Sequence, residues 1–366
     1  MKIIKILIAF MFVTGSVNGQ ISAKLMRYMD VSDQHISFVY GGDIWIVEKA
    51  GGQAVQLTNS PGEESYPRFS PDGSEIAYSA SYNGNQDVYV VPTRGGMAKR
   101  ITYASYTDRV VDWHPDGQRI LFASRREAGI PNVNQFFYID HEGGMPEKLA
   151  IPYGELASFS SDGTRVAYIT KITENYPFKR YRGGLASDVI LFNLETNKAE
   201  RITDHPATDG RPAWMGNTIY YISDKGKNMR RNIWAYNLDS EESKQITNFK
   251  DFDITYLSAG PRELVFEVGG KLYTMAAGSD DYQQVHVHVA SDLANEMPRQ
   301  KDVSKNIANV TGSPKGKRVV FEARGELFNV PAKEGYTLNL TQSSGAFDQL
   351  PAWSPDGSHV AYWSDA

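Results

Sequence analysis

The chain has 366 residues, of which 22% are charged and 41% hydrophobic, with a formal net charge of -5 and no cysteine. That length and balance fit a globular protein with room for more than one domain, and the negative balance argues against a broad nucleic-acid surface. Without cysteine there can be no disulfide, thiol nucleophile or cysteine-ligated zinc or iron–sulfur centre.

The first elements in chain order form a leader. Lys2 and Lys5 precede an apolar run from Ile6 to Val13, and Val17, Asn18 and Gly19 follow where a signal peptidase would cut. Residues 1–20 therefore read as a secretory signal peptide. The apolar run falls short of the ~20 residues that span a bilayer, and no later stretch looks membrane-spanning. The expected location is periplasmic or secreted.

A repeat follows. Phe69-Ser70-Pro71-Asp72-Gly73 leads into Ile76-Ala77-Tyr78, and Trp113-His114-Pro115-Asp116-Gly117 leads into Ile120-Leu121-Phe122. Further copies centre on Asp162-Gly163 and Asp356-Gly357; Gly73, Gly117 and Gly163 are spaced 44 and 46 residues apart. Proline presets one turn angle, aspartate bonds its own backbone and glycine takes the left-handed conformation, so these aspartates read as structural. Each unit also carries a third strand (Asp43 to Val47, Asp87 to Val91, Asp188 to Phe192, Asn232 to Tyr236) and a fourth ending in Gln56-Leu57-Thr58, Arg100-Ile101-Thr102, Arg201-Ile202-Thr203 or Gln245-Ile246-Thr247. Four short strands per unit of forty-odd residues describe a propeller blade.

The predicted fold class is all-β: a six-bladed β-propeller of four-stranded antiparallel blades over 21–290, with units near 26–60, 66–103, 110–150, 156–204, 211–248 and 254–290. A linker at 291–306 then leads to residues 307–366, the first blade or so of a second, truncated propeller. Every unit begins with its inner strand and ends with its outer one. The expectation is thus an open ring held by packing between units one and six. A strand before Ala23 or after Val289 pairing into the opposite terminal blade would refute it.

Candidate sites are few. Lys179, Arg180 and Arg182 cluster with Tyr176, Phe178 and Tyr181, as an exposed insertion or as a peptide or acidic-surface site. His286 and His288 share a strand face without an evident third metal ligand, so an outer-blade face is expected. Glu63-Glu64 and Asp280-Asp281 read as solvated loop charges. No Gly-x-Ser-x-Gly elbow, phosphate loop or His-Glu-x-x-His occurs, so no catalytic residue, metal or cofactor is expected in this chain.

Outside the repeats, Ala123-Ser124-Arg125-Arg126-Glu127, Lys179-Arg180-Tyr181-Arg182-Gly183-Gly184 and the stretch from Asp302-Val303-Ser304-Lys305 through Phe321 to Glu326 resemble the tricorn protease family, while the repeats themselves resemble the TolB type. The tricorn resemblance implies a six-bladed propeller, a seven-bladed one and a serine-peptidase region split around a PDZ-like domain. The chain would then be the amino-terminal, substrate-gating, channel and assembly portion of an oligomeric peptidase that trims peptides, with the catalytic residues outside it. The resemblance also implies that Arg125-Arg126 anchors the peptide carboxylate, since guanidinium forks bind carboxylates in bidentate fashion; an ordinary salt-bridging pair is the alternative. Tricorn proteins are mostly described as cytosolic, which makes a cytoplasmic location the alternative to the leader's reading. The other functional readings are a TolB-like periplasmic interaction propeller without activity and the propeller of a prolyl-oligopeptidase-type hydrolase.

Overall fold

The computed structural model describes residues 21–129, 133–172, 179–290, 300–343 and 345–366. The expected leader at 1–20, Tyr176, Phe178 and most of the expected linker lie outside the described residues. The chain divides into two compact units, Met1–Glu296 and Met297–Ala366.

In the first unit, six four-stranded antiparallel sheets follow one another in chain order among the described residues. They are called blades 1 to 6 below. Their inner strands are Arg27–Val31, Glu64–Phe69, Asp108–Trp113, Leu156–Phe159, Asp209–Met215 and Ile254–Ala259. Each inner strand packs against the next, and that of blade 6 packs against that of blade 1. The strands form because they alternate β-branched and aromatic residues, which fill the space between neighbouring blades. Trp45, Phe122, Phe137, Tyr221 and Phe266 are all buried in these layers.

The repeated sequence signals have the roles their chemistry suggests. Asp162 accepts from the Ser160 hydroxyl at 2.6 Å and the Thr164 amide at 3.0 Å, and those bonds hold its carboxyl down to about 2. Gly163 has φ +70°, and a Cβ there would lie 2.7 Å from the His114 ring of the preceding blade. The closing threonines have a second task. Thr58, Thr102, Thr203 and Thr247 each take, through Oγ1, the backbone amide of Ile44, Val88, Val189 or Ile233 at 2.8–2.9 Å. A side chain thus satisfies a third-strand donor where the short fourth strand cannot.

The expectation of an open ring is corrected. Ile21–Ser22 pairs antiparallel with Val287–Val289, and that strand pairs parallel with Gly52–Gln53 of blade 1. The fourth strand of blade 1 is split for this purpose: Val55–Gln56 stays with its own blade while Gly52–Gln53 leaves it. The joint is tight, since a Cβ on Gly51 would stand 2.5 Å from the His286 carbonyl oxygen. In the sequence, the closing strand looks like a continuation of the last outer strand, Tyr282–Val285, and Ile21–Ser22 is too short to carry a pattern.

The second unit holds a four-stranded antiparallel sheet of Ile307–Gly312, Arg318–Ala323, Glu326–Pro331 and Leu338–Asn339, then a hairpin of Gln349–Trp353 with Val360–Trp363. The short 3-10 turn Ser304–Asn306 precedes it.

Candidate functional site

The inner strands line an axis, and their register fixes which residues share a level. Asp30, Arg68, Asp112, Ser158, Ala213 and Ser258 each pair with the third residue of the neighbouring second strand (Ser37, Ala77, Leu121, Ala167, Tyr220 and Val265). One residue from each blade therefore forms a single rung around the axis.

The rung is also a set of joints between blades. Phe69 of blade 2 donates its amide to Asp30 Oδ2 of blade 1 at 2.8 Å. Trp214 of blade 5 donates its amide to Ser158 Oγ of blade 4 at 3.0 Å. Asp112 takes the amide of Trp113 at 2.9 Å and that of Phe159 in blade 4. Arg68 reaches both ways, donating to the Met29 and Val111 carbonyls at 3.3 and 3.0 Å, with a guanidinium nitrogen 3.6 Å from Asp30. Burial outweighs these partners for both acids. It raises the Asp30 carboxyl and pushes Asp112 up to about 7, with Arg68 pulling the other way.

Toward the start of the inner strands lies a second belt. Tyr28, Tyr66, Arg109, Glu155, Arg211 and Tyr256 come one from each blade. The Tyr28 ring lies 4.3 Å from Tyr66 and 5.0 Å from Tyr256, centre to centre. The Arg211 guanidinium sits 4.5 Å above Tyr256 and that of Arg109 5.4 Å from Tyr66. Arg109 also donates to the Glu155 side chain and to its carbonyl at 2.7 Å. Tyr66, Glu155 and Arg211 are each under a tenth exposed (7%, 8% and 5%), while Tyr28, Arg109 and Tyr256 are half-buried. The backbone is bent to put them there. Inner-strand register shifts at 27/30, 65/68 and 210/213 coincide with φ values of +52° at Tyr28, +53° at Tyr66 and +47° at Arg211. Such bulges re-aim a side chain, and each non-glycine residue held there costs about 1–2 kcal/mol.

Between the rung and the Asp-Gly turns opens a funnel of about 380 Å³, to which all six blades contribute. Asp30 and Asp112 lie in its wall with Phe69, Trp113, Phe159 and Trp214, and no lysine or arginine lines it.

The residues singled out from the sequence lie elsewhere. Arg126 forms an ion pair with the fully buried Asp108 and lies over the Phe122 and Phe137 rings at 4.9 and 5.3 Å. Arg125 beside it is exposed. Arg180 makes a two-pronged contact with Asp253 at 3.0 and 2.8 Å, and Arg182 reaches Asp224 at 3.0 Å. The blade 4 insertion is thereby strapped to blades 5 and 6. His288 lies in the closing sheet instead of on an outer-blade face, and His286 is exposed beside it. Glu64 corrects another expectation, because it is buried. It accepts from the Ile44 amide at 3.0 Å and from the Thr58 and Tyr82 hydroxyls, and burial pushes it up to about 7. No group of three or more His, Asp or Glu suited to a metal occurs among the described residues. No helix among them is long and apolar enough to cross a membrane.

The rung and belt were missed in the sequence because they occupy ordinary strand positions. Aligning the units on the residue before each turn (Val31, Phe69 and Trp113) would have put Asp30, Arg68 and Asp112 in one column.

The family described as the tricorn protease N-terminal beta propeller domain matches residues 23–281. The chain belongs to that family. The tricorn protease homolog of Saccharolobus solfataricus is 22% identical over 326 residues, covering 87% of this chain and 29% of that protein. The tricorn protease of Thermoplasma acidophilum is 24% identical over 344 residues, covering 90% and 31%. A crystal structure of the tricorn protease superimposes with a TM-score of 0.71 at 21% identity, over 87% of this chain and 31% of that one. The Tol-Pal system protein TolB of Francisella tularensis is 37% identical over 218 residues, 57% of this chain and 44% of that protein. This tricorn-family propeller thus spans less than a third of the length of these tricorn relatives.

Proposed function

We propose that this chain is the substrate-handling propeller portion of a tricorn-like serine peptidase that trims peptides, exported to the periplasm or beyond. The match of the tricorn propeller family over residues 23–281 carries the reading. The fresh four-stranded sheet that starts at Ile307 supports it, since in the tricorn architecture a second propeller follows the first. In this reading the belt of Tyr28, Tyr66, Arg109, Glu155, Arg211 and Tyr256 is the closed state of the axial gate. Peptides are held at the faces of the ring until that belt parts.

Arg125 and Arg126 are proposed as the anchor for the peptide carboxylate. Arg126 would share its guanidinium between Asp108 and the ligand, which its fork of donors permits. The full reading frame should hydrolyse short peptides and lose that activity to a serine-directed inhibitor, whereas this chain alone should be inert. Hydrolysis by this chain alone, or none by the full protein, would reject the proposal. Replacing both arginines by alanine should raise KM for free-carboxylate peptides more than for amidated ones.

The TolB relative, more identical over its shorter match, favours one second reading, an interaction propeller without activity. The same hydrolysis assay separates the two.

A further inference from the structure

The funnel opens between the rung and the Asp-Gly turns, and the belt lies beyond the rung. Residues of an extended strand advance by about 3.3 Å each, so the belt lies roughly two residues, about 7 Å, below the rung.

Its chemistry is one-sided. The two charged residues in its wall are Asp30 and Asp112, both anionic when ionised, and no lysine or arginine joins them there. Arg68, from the blade between them, stands 3.6 Å from Asp30 and directs its donors to the Met29 and Val111 carbonyls. The carboxylates are held in place by backbone amides, Phe69 for Asp30 and Trp113 for Asp112. They are therefore aimed before any ligand arrives, which lowers the cost of binding. On the far side of the rung, blades 4, 5 and 6 place only Ser158, Ala213 and Ser258, so no side chain longer than serine stands opposite Arg68 at that level. Higher up, Trp113 and Trp214 belong to the wall but are almost wholly buried in the core behind it.

We propose that this funnel binds a primary ammonium group at the end of a peptide, seated against Asp30 and Asp112. The inference rests on the peptide-handling reading above and adds the end of the peptide that this face takes. A free amino terminus and a lysine side chain present the same group.

The test is calorimetric titration of the chain with pentaalanine, with N-acetylated pentaalanine, and with an acetylated version carrying one lysine. The tryptophan emission of the chain is followed in parallel. The free-amine peptide should bind and shift the emission. Acetylation should weaken it roughly tenfold or more, as expected for loss of a charge-assisted contact. Recovery by the lysine peptide would assign the site to ammonium groups in general, and no recovery to amino termini; both agree with the proposal. Asp112→Asn should reproduce the loss. Ser161→Lys, a substitution on the exposed rim of the funnel that leaves the joints alone, should weaken binding several-fold. Equal affinity for free and acetylated peptides, or full affinity in both variants, would overturn the funnel assignment while leaving peptide handling intact. Absence of binding by every peptide would also overturn it. The hydrolysis assay on the full protein would still decide the broader reading.

Discussion

Ser258 donates its hydroxyl hydrogen bond to Asp30 across 228 residues of sequence. That bond joins the last blade of the ring to the first, at the same carboxylate that takes the Phe69 amide from blade 2. Asp30→Ala should therefore loosen two seams at once and leave the buried Phe69 donor unsatisfied. A loss of about 2–3 kcal/mol is expected, in the range for stranded buried polar groups. Urea unfolding should show the midpoint falling; an unchanged midpoint would mean that the seams are held by apolar packing alone.

Glu64 makes stability depend on pH in an unusual direction. Its folded pKa is raised from 4.5 to about 7, chiefly by burial, so the folded state keeps a proton that the unfolded chain releases. Stability from this group is full below its unfolded value and is lost as pH rises through the window from 4.5 to about 7. The change is on the order of 3 kcal/mol. Glu64→Gln should flatten that slope and raise stability at pH 8 relative to the parent. A parent whose stability climbs steadily from pH 5 to pH 8, with the variant parallel to it, would contradict the assignment.

Neighbouring glycines offer a clean comparison at the ring closure. Gly51 and Gly52 both have left-handed φ, +84° and +108°, but only at Gly51 would a Cβ strike the His286 carbonyl; at Gly52 nothing lies within 4 Å. Gly52→Ala should carry only the backbone penalty of about 1–2 kcal/mol. Gly51→Ala should cost about 1 kcal/mol or more beyond it. Thermal melts of the two variants measure the difference, and equal Tm values would deny the closing sheet a role in stability.

The strap on the blade 4 insertion can be read by protease. Asp253→Asn removes the two-pronged partner of Arg180, so trypsin should cut at Lys179 to Arg182 several times faster. Global stability should fall by only about 1 kcal/mol or less, as for partly exposed ion pairs. Cleavage at the parent rate would show that the insertion is held by something else.

Much of the architecture is legible in the sequence because each unit repeats its punctuation. Asp72-Gly73, Asp116-Gly117 and Asp162-Gly163 dictate turns through local chemistry, and the threonines from Thr58 to Thr247 mark the ends of blades. The ring closure is not legible, because Ile21–Ser22 and Val287–Val289 have no periodicity of their own and gain meaning only when the ring brings them together. Glu64 illustrates a second limit. A glutamate after Gly62-Glu63 looks solvated, and only the overlap of blade 1 with blade 2 buries it. The rung and belt show a third: Tyr28, Tyr66 and Arg211 occupy strand positions where tyrosine and arginine are unremarkable, and the bulges that turn them toward the axis leave no sequence mark.

The closing sheet also decides where the ring is tethered. Because Ile21 sits directly opposite Val289 in an antiparallel pair, the chain enters and leaves the propeller within about 5 Å of itself. Both connections are made at one spot beside blade 1, like a pendant hung from a single loop. The funnel is lined by the inner strands and turns of all six blades, and no residue of the closing sheet belongs to it.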